Sequence, residues 1–359
     1  MIFRKQDYTP VESDPQIEAK INEVKEFALK IAPDNWKEKI NDIAQKMTVI
    51  VCENGSMHKV MHNGKLKDMN LSSTAGAHKF FTDVNDVDFS CNQGVVFRKN
   101  VSNHVIAHEV LHAFSSESGR VDGAGFVKTG ASYTEEDGNG QVKVRRGSDI
   151  NEAITDALAS RFRGKFGPNT EGASYVSQVI VADLLIGENV ENNNFIHDVY
   201  FGKSENFIRD FNKTVKTADI NFEDYLSGFK VIGTEDESKK SDKLLRGAIE
   251  YNLKKAQTVE EIESVFAFQT KVIDFYRNGE LSTGFLEDED VARLDKLKVF
   301  AGKMRNTCKS AFMEKDEKAL SVVDVLRGKR TEDFSHKLQS AGKRGEFNKL
   351  TSSSKGHGM

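Results

Sequence analysis

Cysteine, proline and tryptophan are scarce in this sequence, and neither one charge sign nor a long apolar run dominates it. The three cysteines, Cys52, Cys91 and Cys308, are odd in number, widely spaced and form no C-x-x-C pair, so neither a disulfide framework nor a thiolate zinc site is expected. The formal net charge of -4 supplies no positive field, and no nucleic-acid partner is expected. The longest apolar run, Val179 to Ile186, is interrupted by Asp183. It falls far short of the ~20 residues that cross a bilayer, so no membrane span is expected. The first residues, Met1-Ile2-Phe3-Arg4-Lys5, lead into polar and acidic sequence without the apolar stretch of a secretory signal. The expected location is the cytoplasm, or a site reached by export or injection without a classical signal peptide. All four prolines lie at or before Pro168, which leaves the second half free of the strongest helix breaker.

What is present suffices for a folded core. The chain has 359 residues, 38% hydrophobic and 30% charged, with 24 phenylalanines against one tryptophan, a length that favours two compact units or one elaborated unit. Apolar residues at helical spacing predict a helix over 14–31, ended by Pro33, and a second over 36–47. The β-branched run Thr48 to Cys52 reads as a buried strand and Gly94 to Arg98 as another, with polar loop between them. Asn100, Ser102 and Asn103 are N-cap candidates for a helix over about 103–116. Between Gly119 and Gly147, seven glycines and the turn Asp137-Gly138-Asn139-Gly140 predict a loop whose hairpin pairs 126–128 with 141–144, and its spacing does not make an EF-hand. Helices are expected over 148–163, 173–186 and much of 205–230, and a further helical unit beyond Glu235, where Thr258 and Glu261 have the form of a capping box. Leu326 to Met359 carries eight Lys or Arg against three Asp or Glu and reads as a flexible basic tail, whose charge needs no nucleic-acid or lipid partner to explain it. The expected organisation is a domain over 1–235, a helical region over 236–325 and the tail over 326–359.

His108-Glu109-Val110-Leu111-His112 is the motif that carries chemistry. Residues four apart are separated by about 400° around a helix, so both imidazoles project from one face and form two metal ligands. Glu109, about 100° from His108, reaches an open coordination position without joining the metal, as a general base must. Catalytic zinc needs a third protein ligand. Asn151-Glu152-Ala153-Ile154-Thr155-Asp156 opens the next helix, with Glu152 as a candidate ligand and Asp156, on the same face, as the carboxylate that steadies a ligand imidazole. A capping box formed by Asp149 and Glu152 is the competing reading of Glu152. His58, His62, His78, His104, His336 and His357 give no second metal pattern; His58 and His62 share helical spacing, but their Asn and Gly neighbours indicate a turn.

H-E-x-x-H followed by N-E-x-x-T-D resembles the gluzincin group of zinc peptidases. The likeness covers about residues 94–163, and Tyr175 to Gly187 is similar to a helix that often follows in bacterial relatives. It implies one Zn2+ held by His108, His112 and Glu152, Glu109 as the base, and Asp156 as the supporting carboxylate. It also implies a Tyr or His that steadies the tetrahedral intermediate, not assignable here among Tyr133, Tyr175, His197 and Tyr200. No third histidine follows in the metzincin manner. The expected fold is α+β: a small mixed sheet with zincin-like ligand-bearing helices, then a mainly helical C-terminal region. Gly94 to Arg98 is the expected edge strand for an extended protein or peptide substrate. The expected function is zinc-dependent endopeptidase action on a Glu109-activated water, with the C-terminal helices recruiting substrate or a partner. The alternative is a metal-binding interaction protein, an inactive protease-like scaffold acting through those helices; Glu109 beside an open position argues against it.

Overall fold

Helix α1 (Pro15–Ile31) starts at Asp14, whose side chain accepts from Gln16 N at 2.9 Å, and buries the stripe Ile17, Ile21, Val24, Ala28 and Ile31. The computed structural model describes residues 2–3, 14–52, 57–62, 65–70, 76–81, 92–121, 124–136, 142–166, 176–216, 220–223, 235–278 and 291–314. Helix α2 (Asp34–Lys46) follows after Pro33 and leads into strand β2 (Thr48–Cys52).

Strand β2 joins a mixed four-stranded sheet in the order β1-β5-β6-β2, with β1 at Ile2–Phe3, β5 at Gly76–Phe81 and β6 at Asn92–Arg98. Strands β2 and β6 run parallel, with Thr48 opposite Gly94, and β5 and β6 run antiparallel, with His78 opposite Val95. Strand β6 is therefore interior. The expectation that Gly94 to Arg98 forms a substrate-binding edge fails: its Val95, Val96 and Phe97 are wholly buried between two neighbouring strands. The stretch read as loop also holds a hairpin, β3 (Met57–His62) paired with β4 (Lys65–Asn70), so His58 and His62 lie on a strand and not in a turn.

Helix α3 (Asn103–Phe114) is capped by Ser102 Oγ, which accepts from Val105 N at 3.3 Å. Its wholly or nearly wholly buried Ile106, Ala107, Val110, Leu111, Ala113 and Phe114 set it among α1, α2, β5 and β6. A second sheet, an antiparallel meander in the order β10-β9-β8-β7, follows as β7 (Ser116–Val121), β8 (Ala124–Thr129), β9 (Ser132–Glu136) and β10 (Val142–Arg146). The expected pairing of 126–128 with 141–144 is replaced by one in which β9 lies between them. The cause is a two-residue turn at Gly130-Ala131, where Gly130 has φ +52° and Thr129 pairs with Ser132. The turn Asp137 to Gly140 lies outside the described residues.

Helix α4 (Ser148–Phe162) starts from Gly147 at φ +74°, and helix α5 (Val176–Ile186) packs against it. A π-helical turn (Ile196–Phe201) and α6 (Glu205–Thr214) come next, then α7 (Glu235–Lys255) and α8 (Val259–Arg277), which both pack on α5. At α8 the first half of the capping box forms, Thr258 Oγ1 accepting from Glu261 N at 3.1 Å, while the Glu261 carboxylate reaches one residue further back and accepts from Gln257 N at 2.5 Å. The fold is α+β with a helical C-terminal region. The chain divides into two compact units, Met1–Arg305 and Asn306–Met359, and in the second residues 306–314 are helical. No described helix is long and apolar enough to cross a membrane.

Candidate metal centre

Helices α3 and α4 pack together, and their polar faces meet at one point. His108 Nε2 lies 3.0 Å from His112 Nε2 and 3.1 Å from Glu152 Oε2, and His112 Nε2 lies 3.4 Å from the same oxygen. A tetrahedral zinc ion with bonds of about 2.0–2.1 Å needs ligand atoms roughly 3.3 Å apart. The triangle has that size and that donor chemistry, two imidazole nitrogens and a carboxylate oxygen. Two groups, His108/His112/Glu152 and His104/His108/Asp156, bring donor atoms within 4.8 Å of one another and could hold a metal ion. The capping reading of Glu152 is not realised, since α4 begins at Gly147 without a side-chain cap and the Glu152 carboxylate faces the imidazoles.

The outer nitrogens of the two histidines are also engaged. His112 Nδ1 has the Asn151 amide nitrogen at 3.0 Å and Thr155 Oγ1 at 3.3 Å. Thr155 gives its own proton to Asn151 O at 2.8 Å, so its oxygen can accept from a His112 Nδ1–H, the tautomer that leaves the Nε2 lone pair facing the triangle, whereas the Asn151 amide N–H, a donor only, favours the lone pair on Nδ1. Asn151 is itself fixed by Ala131 N, which donates to its Oδ1 at 3.0 Å. On the other side, Asp156 Oδ1 stands 3.6 Å from His108 Nδ1, ion-pairing distance, and 2.6 Å from His104 Nε2. Every named letter of N-E-x-x-T-D thus has a task. Gly130 is required here, because a Cβ would strike Asn151 Oδ1 and the Tyr200 ring.

Burial works against the charges of His108, Glu152 and Asp156, and their pairings overcome it. Desolvation alone would depress the His108 imidazole, yet Asp156, Glu152 and Glu109 hold its pKa well above the usual histidine value. Glu152 is likewise penalised by burial, but His112 and His108 hold its carboxyl well below the usual range. Asp156 is lowered in the same way, by His104 and His108 against burial.

Glu109 stands apart from the triangle. Its Oε2 accepts from His78 N of β5 at 2.6 Å, and it lines an open cleft of about 330 Å³ with Gly76, His78, His112, Ser132 and Glu152 among its neighbours. Strand β5 approaches this closely because Gly76 lacks a side chain; a Cβ would come 2.7 Å from Val105 Cγ1 and 3.1 Å from Glu109 Cγ.

No family model, no curated protein and no solved structure matches this chain.

None of the described candidates for steadying an intermediate lines the cleft. Tyr133 stacks on Phe126, with ring centroids 6.1 Å apart, and His197 sits on the π-helical turn. Tyr200 is buried behind the site, its hydroxyl 3.0 Å from Thr155 Oγ1, and burial pushes its phenol pKa up. Tyr175, His336 and His357 lie outside the described residues. Two histidines that spacing undervalued take part: His78 in the cleft wall, its Nε2 2.7 Å from Gln93 Oε1, and His104 behind it. The signal for His104 was its four-residue interval to His108; the partner that gives it meaning, Asp156, lies 52 residues away in sequence.

Proposed function

We propose that the protein is a zinc-dependent endopeptidase of gluzincin type, with His108, His112 and Glu152 as ligands and Glu109 as the base. The observation that carries this reading is the donor triangle of tetrahedral-edge size on the wall of an open cleft, with a second carboxylate, Glu109, outside the triangle alongside. Zn2+ held there supplies a Lewis acid for the scissile carbonyl and an acidified water. Glu109, steadied by the His78 N–H, takes the proton that water loses on adding to the carbonyl carbon and delivers it to the amine nitrogen as the C–N bond breaks. Asp156 and Thr155 keep the ligand imidazoles turned inward. An extended peptide has a place to lie along β5: its pairing with β1 reaches only Phe80 and Phe81, and among the described residues the outer edge of Gly76 to Lys79 carries no strand.

The test is Glu109→Gln, which keeps size and polarity but cannot take a proton. Zinc content and melting temperature are expected to match wild type, while cleavage of a peptide library falls about 10²–10⁴-fold. Full activity in Glu109→Gln would assign the base elsewhere. A zinc-loaded wild type without activity across a broad library would support the scaffold alternative.

A further inference from the structure

We propose that His104, which lies outside the donor triangle, is a positioning residue of this centre: its Nε2–H bond holds the Asp156 carboxylate against His108 Nδ1. The proposal rests on reading His108, His112 and Glu152 as metal ligands and adds one residue behind them. His104, His108 and His112 follow one another at four-residue intervals on α3, so their rings form a single stripe, with His104 and His108 centroids 6.3 Å apart. His104 is the deepest of the three at 3% exposure and does not line the cleft. Between it and His108 stands Asp156, whose Oδ1 is 2.6 Å from His104 Nε2 and 3.6 Å from His108 Nδ1.

The 2.6 Å separation is that of a charge-assisted hydrogen bond. It is too short for the edge of a coordination polyhedron, whose ligand atoms stand roughly 3.3 Å apart around zinc. The bond requires the proton on Nε2, which leaves Nδ1 as the lone-pair nitrogen. That atom is buried and has no hydrogen-bond partner among the described residues. A side chain present only for packing would serve better as leucine, which fills similar space and strands no polar atom. What the imidazole adds is the donor. Asp156 uses it directly: the 2.6 Å bond fixes the position of the same oxygen, Oδ1, that faces His108 Nδ1. Held in place, it stays at ion-pairing distance, 3.6 Å, from His108 Nδ1 and so favours a proton on that nitrogen, which keeps the Nε2 side turned into the triangle.

The experiment uses the full chain with Zn2+ and with Co2+ as a spectroscopic substitute. His104→Leu is expected to leave the metal-free protein folded, with a melting temperature at or above wild type. Zinc affinity, read by competition with a chromophoric chelator, should fall about tenfold, the lower end of losses from residues behind a ligand. The visible bands of bound Co2+ should shift as His108 reorients, and His104→Gln, whose amide donates from a similar position, should recover most of both changes. Nitrogen-15 NMR of the wild-type imidazoles gives a readout free of substitution: Nε2–H is expected for His104, and an Nδ1–H tautomer overturns the proposal even if His104→Leu does not fold. Unchanged zinc affinity and Co2+ spectrum in a folded His104→Leu protein overturn it while leaving the triangle standing. A second equivalent of metal that vanishes in that variant also overturns it, because His104 would then be a ligand. A wild type that takes up neither ion defeats the triangle itself, and this role with it.

Discussion

Glu152 and Asp156 stand one helical turn apart on α4, yet they meet opposite nitrogens of the same imidazole: Glu152 faces His108 Nε2 at 3.1 Å and Asp156 faces His108 Nδ1 at 3.6 Å. Their substitutions should therefore differ in kind. Glu152→Ala removes a donor atom and is expected to abolish stable zinc binding, whereas Asp156→Ala removes only orientation and should weaken affinity about 10–100-fold. Equilibrium dialysis of both variants checks this, and full zinc occupancy in Glu152→Ala would remove it from the ligand set. The same pairings set a pH dependence. The His108 pKa is raised, so near neutrality the metal-free protein holds a proton that metal must displace. In the metal-free protein the stability gained from charged His108 is fully present below the ordinary histidine pKa and is lost as pH rises through the raised one; Glu152 and Asp156, being lowered, contribute above the ordinary carboxylate range and lose their contribution as pH falls. Zinc affinity is thus expected to climb with pH through the neutral range, by about tenfold per unit for each proton released. Titration calorimetry in two buffers of different ionisation enthalpy measures that release, and a heat independent of buffer would contradict it.

Helical elements were legible because each encodes its own period and ends. Asp14 with Pro15, Ser102, and Thr258 with Glu261 mark starts that the structure uses, and α3 and α4 fall within two residues of their expected bounds. The pairing of His108 with His112 follows from that helical spacing, since neighbours on a helix face are fixed by the chain itself. The strands were harder. Met57 to His62 and Lys65 to Asn70 carry little apolar alternation and take their form from pairing with each other, information that lies across the hairpin and not along either strand. Strand β9 was hidden because Gly130-Ala131, a turn of only two residues, is a weaker signal than the glycine-rich Asp137 to Gly140. Gly76 had no local signal at all; its need arises from how closely β5 crosses α3. Asp183 is the instructive case: it interrupts the apolar run of α5 and is wholly buried, because Arg161 of α4 donates to its Oδ1 at 3.1 Å and Tyr276 of α8 to its Oδ2 at 2.7 Å. A charge on an otherwise apolar helix marks where neighbouring helices are tied, but the sequence does not say which ones.

Helix α5 gives the C-terminal region a duty beyond any recruitment of substrate. Val179 to Ala182 and Leu184 to Ile186 are all buried to within 3%, so this helix has no solvent face and needs cover on every side. Helix α4 packs on one side, and α7 and α8, from Glu235 onward, pack on it as well. A chain ending at Glu235 would expose the part of α5 that α7 and α8 cover, at about 1.5–3 kcal/mol for each large apolar side chain returned to water. It would also lose the Tyr276 hydrogen bond to the charged Asp183, roughly 1.5–3 kcal/mol more. Three or four such losses equal the entire stability of a typical domain, about 5–15 kcal/mol. Because α5 packs on α4, and α4 carries Glu152 and Asp156, the loss reaches the metal site. The shortened chain is therefore expected to melt without a cooperative transition and to bind zinc weakly, whereas a chain ending at Glu314, which keeps α7, α8 and the helical residues 291–314, should retain both. Circular dichroism melting and metal content of the two proteins decide the matter: a cooperatively folded, fully loaded chain of residues 1–235 would show that α4 and α5 stand without the C-terminal helices.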